Sequence, residues 1–231
     1  MNDKIIGILG GMGPRSTAPF IDQVIDECQK QYNASLDEEF PKMMIYSLPT
    51  PFYIDRPIDH ELMKKTIEEG LKKLEDTDVQ FIAMPCNSAH IYIEDLVKSI
   101  NIPLLNIVEE TLNQLPVDKL RISLFATTTT FNSQIYQKGI AKKGHQFIFR
   151  EQWQERLNEL IKNIKMQKDN PLNHELWDKL LKEVRQDADY IIIACTDLNA
   201  VTHRISTSVK IIDSSQCLAH AVVKKYLDQT S

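Results

Sequence analysis

Cys86 and Cys195 have the strongest capacity for chemistry in this chain. Each closes an apolar run and is followed by small polar residues, in "VQFIAMPCNSAH" and "ADYIIIACTDLN". An unperturbed thiol titrates near ~8.5, so a modest downward shift lets it accept or donate a proton at neutral pH. A thiol at the seam between a strand and a helix meets the positive end of that helix, which favours the thiolate. One such thiol suits a nucleophile or a single acid/base. Two, reaching one carbon from opposite faces, suit a stereoinversion in which one removes a proton and the other delivers one. The bland alternative is a small buried hydrophobe, and it is adopted for Cys28 and Cys217, which fall inside amphipathic helical stretches. No two cysteines form a CxxC metal or redox pair, and a reduced, cytoplasmic setting is expected.

The elements that must carry these thiols alternate. "KIIGILG", "MMIYSL", "VQFIAM" and "IPLLNI" read as strands, with helices expected from "GMGPRSTAPFIDQVIDECQK", "HELMKKTIEEGLKKLE" and "AHIYIEDLVKSI". The order then restarts. "LRISLFATTTT" reads as strand plus turn, "FNSQIYQKGIAKKG" as helix and "QFIFR" as strand. Two amphipathic helices are expected over 152–168 and 171–185, then strand "YIIIAC", short helix "TDLNAVTHR", strand "VKIID" and last helix "SSQCLAHAVVKKYL". Strands each followed by helices predict a parallel α/β sheet. The halves also repeat: Asn106 follows Cys86 by 20 residues and Asp213 follows Cys195 by 18. Two similar α/β lobes are therefore expected. One comprises 1–112 joined by the C-terminal helix 213–231, the other 113–212. Ligands of open parallel sheets bind beyond the carboxyl ends of the strands, where both thiols sit.

A chain of 231 residues has enough length for a sizeable core. Its net charge of -5 argues against nucleic acid as a partner, since a binder would show a basic face. No apolar run reaches bilayer-spanning length, and "MNDKIIGILGG" reads as a first strand, not a signal peptide. His90 stands one helical turn beyond Cys86 and reads first as a packing residue, second as one that tunes the thiol. The other histidines lack metal-ligand spacing, so no metal is expected.

A glycine-rich turn, "GILGGMGP", raises nucleotide binding as a rival. It fails because "GMGPRS" does not complete G-x-G-x-x-G, "MMIYSL" does not end in an acid, and no Walker lysine follows. The same turn offers backbone N–H groups of Gly11, Met12 and Gly13 to a carboxylate, or is simply a tight turn that needs glycine. The planar fork of Arg56 suits a second carboxylate, unless it is a solvated loop charge. Asn87 and Ser88 can cap the helix after Cys86 or orient a substrate.

Three stretches, "GILGGMGPRST", "PCNSAH" and "ACTDL", together resemble the signatures of the cofactor-independent aspartate/glutamate racemase family. The "GGMGP" head is similar to its aspartate racemase branch. The resemblance covers the whole chain and implies two Rossmann-like or flavodoxin-like lobes related by a pseudo-twofold axis. Between them it implies a cleft where Cys86 and Cys195 serve as acid/bases. It further implies no cofactor, a small acidic amino acid as substrate, and a homodimer. Carried over by position, Arg56 holds a substrate carboxylate and Lys165, 30 residues before Cys195, helps bind the distal one. Thr127 lines the cleft, and Met12, Asn87, Ser88 and Thr196 complete the substrate-binding set. Ser88 replaces the usual threonine, Asp197 the usual glutamate and Ala194 the usual glycine. These departures bear on which amino acid is used more than on the reaction. The alternatives are a related isomerase or decarboxylase acting on a small dicarboxylic acid, or a non-catalytic amino-acid-binding protein.

Overall fold

The first apolar run forms a central strand, β1 (Ile5–Gly10), in which Ile6, Ile8 and Leu9 are wholly buried. A strand buried on both faces reads as continuous apolar sequence and belongs in a parallel sheet. In the computed structural model, which describes residues 4–52, 57–166, 170–202 and 209–228, the expected alternation follows. After β1 come α1 (Thr17–Tyr32), β2 (Lys42–Ser47), α2 (His60–Glu75), β3 (Phe81–Ala83), α3 (Ile93–Leu96), β4 (Leu104–Leu105) and α4 (Ile107–Asn113). The second half supplies β5 (Arg121–Ala126), α5 (Thr128–Asn132), α6 (Ile135–Lys142), β6 (Gln146–Phe147), α7 (Glu151–Met166) and α8 (Pro171–Val184). It ends with β7 (Tyr190–Ala194), α9 (Asn199–Thr202), β8 (Lys210–Asp213) and α10 (Ser214–Asp228).

The strands form two four-stranded parallel sheets, ordered β2-β1-β3-β4 and β6-β5-β7-β8. Both follow one pattern, in which the second strand lies outside the first and the third lies inside. The repeat read from the cysteine-bearing strands thus extends to all four strands of each half. Two units result, one of Met1–Glu110 with Ser215–Ser231, the other of Thr111–Ser214.

Helix ends follow their capping chemistry. Asp59 accepts the Leu62 N–H at 3.0 Å to start α2, and Asn170 followed by Pro171 starts α8. The second unit's core is built from the apolar stripes of α7 and α8. Trp153, Leu157, Leu160, Ile161 and Ile164 pack with Trp177, Leu180, Leu181 and Val184 against Ile191 and Ile193 of β7. Cys195 belongs to the same core, as does Phe125, whose ring meets Trp177 edge-on at 5.6 Å.

The first unit recruits α10 through a buried carboxylate on α1. Glu27 is 6% exposed, and its Oε1 accepts from Lys30 at 3.1 Å and Gln216 at 2.8 Å. Its Oε2 accepts from Gln31 and from His220 Nδ1, each at 2.9 Å. Gln216 and His220 come from α10, so this one carboxylate fastens the C-terminal helix to α1.

Candidate active site

Strand order fixes where a ligand site belongs. In an order of the 2-1-3-4 type, the connections from the first and third strands leave in opposite directions, opening a crevice at their carboxyl ends. In the first unit, β1 and β3 are neighbours, with Ile8 opposite Ala83. The turn holding Gly11 and Met12 leaves one and the segment holding Cys86 leaves the other. In the second unit, Ala126 of β5 lies opposite Ala194 of β7, so Thr127 and Cys195 emerge side by side. The two cysteines follow corresponding strands, Cys195 directly after β7 and Cys86 three residues after β3.

In the first unit Asn87 and Ser88 directly follow Cys86 in the chain. Met12 and the half-buried Cys86 pack on one apolar cluster that contains Leu9, Met84 and Ala89. Asn87 is buried at the cap position of the following 3-10 turn, which its side chain does not cap. The turn before α1 needs glycine: Gly11 has φ +89°, and a Cβ there would lie 2.5 Å from the Leu48 nitrogen. The Gly11 N–H is donated to the Thr17 hydroxyl at 2.8 Å. Of the three expected carboxylate donors, that one is committed inside the fold.

The helix expected after Cys86 is also different. Ser88–Tyr92 forms a 3-10 turn, and α3 adds four residues. Few peptide dipoles are therefore aligned beyond the thiol, and the long-helix dipole expected to favour its thiolate is lacking. Cys28, inside α1, shows the contrasting environment: burial pushes its thiol above the ordinary range. None of the four cysteines is in a disulfide.

In the second unit Cys195 is 5% exposed and extended, and its carbonyl accepts the Leu198 N–H at 3.1 Å. Thr196 is buried beside it. The Thr127 hydroxyl caps α5, accepting the Thr130 N–H at 3.2 Å. Lys165, at the end of α7, extends its ammonium to Asp197, Nζ to Oδ2 2.8 Å, with the side chains 23% and 9% exposed. The lysine expected to meet a substrate carboxylate thus already has an acidic neighbour two residues from Cys195. Nothing in its local sequence announces that pairing, because the partners are 32 residues apart. Arg56 lies outside the described residues. No group of histidine, cysteine, aspartate or glutamate among the described residues could hold a metal ion. Among them, too, no helix is long and apolar enough to cross a membrane.

The family model for Asp/Glu/hydantoin racemases matches residues 9–222, which include both cysteine-bearing strand ends. The chain belongs to this family. A broad specificity amino-acid racemase of Bacillus subtilis (strain 168), RacX, is 51% identical over 223 residues, covering 96% of this chain and 98% of that protein. The aspartate racemase structure from Picrophilus torridus superposes with a TM-score of 0.82 at 25% identity, covering 96% and 94% of the two chains. An aspartate racemase homologue from Pyrococcus horikoshii OT3 shares the fold, with a TM-score of 0.77 at 23% identity over 97% and 99% of the chains. The expectation of a racemase fold and of an isomerase acting on amino acids is met by these likenesses.

Proposed function

We propose that this racemase inverts the Cα of amino acids by a two-base mechanism in which Cys86 and Cys195 are the acid/base pair. The observation that carries the reading is the matched topology of the two thiols, each in the segment that leaves the carboxyl end of the third strand of a 2-1-3-4 parallel sheet. One cysteine, as thiolate, takes the Cα proton and becomes a thiol. The resulting enolate-like carbanion takes a proton from the other thiol, which is left as thiolate, so the two exchange roles in each turnover. The weakly acidic Cα–H is the hard step. Donors aimed at the α-carboxylate stabilise the charge that develops there. We assign that task to Arg56 and to groups of Met12, Asn87, Ser88, Thr127 and Thr196. The scheme uses no cofactor and requires reduced thiols, which suits a cytoplasmic enzyme.

For the substrate, we propose a range that includes aspartate and extends beyond it. Two facts support this reading: the 51% identical relative is a broad specificity amino-acid racemase, and the Lys165 charge is shared with Asp197. A lysine already paired gains less from a distal carboxylate than a solitary one would. A homodimer is also proposed, supported by the exposed apolar side chains Met44 and Ile45 on the edge strand β2. Light scattering on the purified chain measures the association state directly.

The test of the function is a chiral assay of the purified protein against a panel of L- and D-amino acids with no cofactor added. Racemisation of aspartate and of several neutral amino acids is expected. A protein that decarboxylates its substrate, or that binds amino acids without inverting them, would refute the proposal.

A further inference from the structure

We propose that His90 is a positioning residue for Cys86, tying the Cys86 carbonyl to the junction of β4 and α4 through an imidazole that donates from Nδ1. The inference rests on the reading of Cys86 as an acid/base. His90 is 1% exposed. Its Nδ1 lies 2.8 Å from the Cys86 carbonyl oxygen, and its Nε2 lies 3.3 Å from the Ile107 nitrogen and 3.2 Å from the Leu105 carbonyl oxygen. A carbonyl oxygen only accepts, so the contact with Cys86 places a proton on Nδ1, while Nε2 faces both the Ile107 N–H and the Leu105 carbonyl. The Nδ1 proton is donated to Cys86. Burial pushes the His90 pKa below its ordinary value, against the opposing pull of the Cys86 and Leu105 carbonyls. That burial favours the neutral ring.

With both nitrogens engaged by the backbone, His90 is not placed to relay protons to the thiol. Its effect is mechanical. Cys86 lies three residues beyond Ala83, the last residue of β3, where no sheet ladder fixes it. The next strand is close by, since Ala83 is opposite Leu105. The imidazole spans from the thiol-bearing segment to that neighbour. Because a peptide unit is planar, holding the Cys86 C=O also fixes the direction of the Asn87 N–H. Proton transfer at carbon depends steeply on placement, and a displacement of about 1 Å costs about a hundredfold in rate.

Two substitutions separate the bonds. In His90→Asn the side-chain amide nitrogen falls near the Nδ1 position and keeps the donation to Cys86. In His90→Gln the amide reaches the Nε2 position and the Cys86 carbonyl loses its donor. We expect kcat within about tenfold of the parent for the asparagine variant and a loss of about a hundredfold for the glutamine variant, with KM little changed. Neither should remove a limb of the pH–kcat/KM profile. The alkylation rate of Cys86 by iodoacetamide, followed by peptide mass spectrometry, should change severalfold in His90→Gln while that of Cys195 stays constant. Equal kcat in the two variants, a lost pH limb, or unchanged Cys86 alkylation overturns the proposal. If His90→Gln does not fold, a folded His90→Asn that loses about a hundredfold in kcat overturns it, and near-parental kcat supports it. A Cys86→Ser protein that still turns over would refute the two-thiol reading instead, and the alkylation result would stand apart from it.

Discussion

Replacing Glu27 by glutamine keeps the shape of the side chain and removes the charge that fastens α10 to α1. One oxygen becomes an NH₂ group that faces two donors, so two of the four bonds in this cluster are lost and the other two no longer end on a carboxylate charge. Hydrogen bonds to a charged group contribute about 1.5–3 kcal/mol each. Here the low end applies, because the His220 and Lys30 side chains are 48% and 60% exposed and regain water. The expected destabilisation is about 2–4 kcal/mol, which lowers Tm by about 4–16 °C in a chain of this size. The pH dependence has a definite sign. Burial raises the Glu27 pKa, but hydrogen bonds from Gln31, His220 and Lys30 outweigh it, and the folded-state value lies below 4.5. The contribution of the charge is therefore complete above the unfolded value and is lost as pH falls through the folded one. Thermal unfolding followed by circular dichroism should show the gap between parent and Glu27→Gln in full at about pH 7 and smaller at about pH 3, below the unfolded-state value. An equal gap at both pH values, or one below about 0.5 kcal/mol at neutrality, would refute the reasoning.

Three further outcomes follow from the site. Cys86→Ser and Cys195→Ser should each remove most racemisation in a chiral assay while leaving the circular dichroism spectrum unchanged, since a serine hydroxyl is far less acidic than a thiol; near-parental turnover in either counts against the pair. Asp197→Asn releases Lys165 from its ion pair, so kcat/KM for aspartate relative to a neutral amino acid should rise roughly 10–100-fold, the value of one charge-assisted hydrogen bond; an unchanged ratio removes the pair from substrate selection. Arg56→Lys should lower kcat/KM by loss of the bidentate fork, to a similar extent for diacids and monoacids because the α-carboxylate is common to both; a larger loss for diacids would assign Arg56 to the distal carboxylate instead.

The strands were legible because burial on both faces leaves runs such as "YIIIA" that a helix periodicity does not explain. The helices over 151–166 and 171–184 were legible from their apolar stripes and the Asn-Pro start of the second. What escaped was decided by short-range capping. Helix α4 has no signal in the repeat, where Asn106 marks the end of a short strand. Its side chain in fact caps that helix, accepting the Val108 N–H at 3.0 Å. "TTTT" reads as a turn, whereas Thr127 caps the short α5. The segment after Cys86 has helical periodicity but adopts mainly a 3-10 turn. At the site, the thiols stood out through their matched sequence positions. The partners of His90 did not, because they are backbone atoms of Leu105 and Ile107, which no residue pattern can name.

The central claim, that two thiols act on opposite faces of one carbon, is tested most directly by isotope traffic. A protiated L-amino acid that the enzyme turns over is incubated in D₂O, and the enantiomers are separated and weighed by mass spectrometry at early times. The delivering thiol has exchanged with solvent, so the D-product should carry deuterium from its first appearance. The recovered L-substrate should stay largely protiated, because the proton removed on its own face is held there. Starting from the D-enantiomer should give the mirror pattern. Deuterium entering substrate and product at comparable early rates would contradict the two-thiol account.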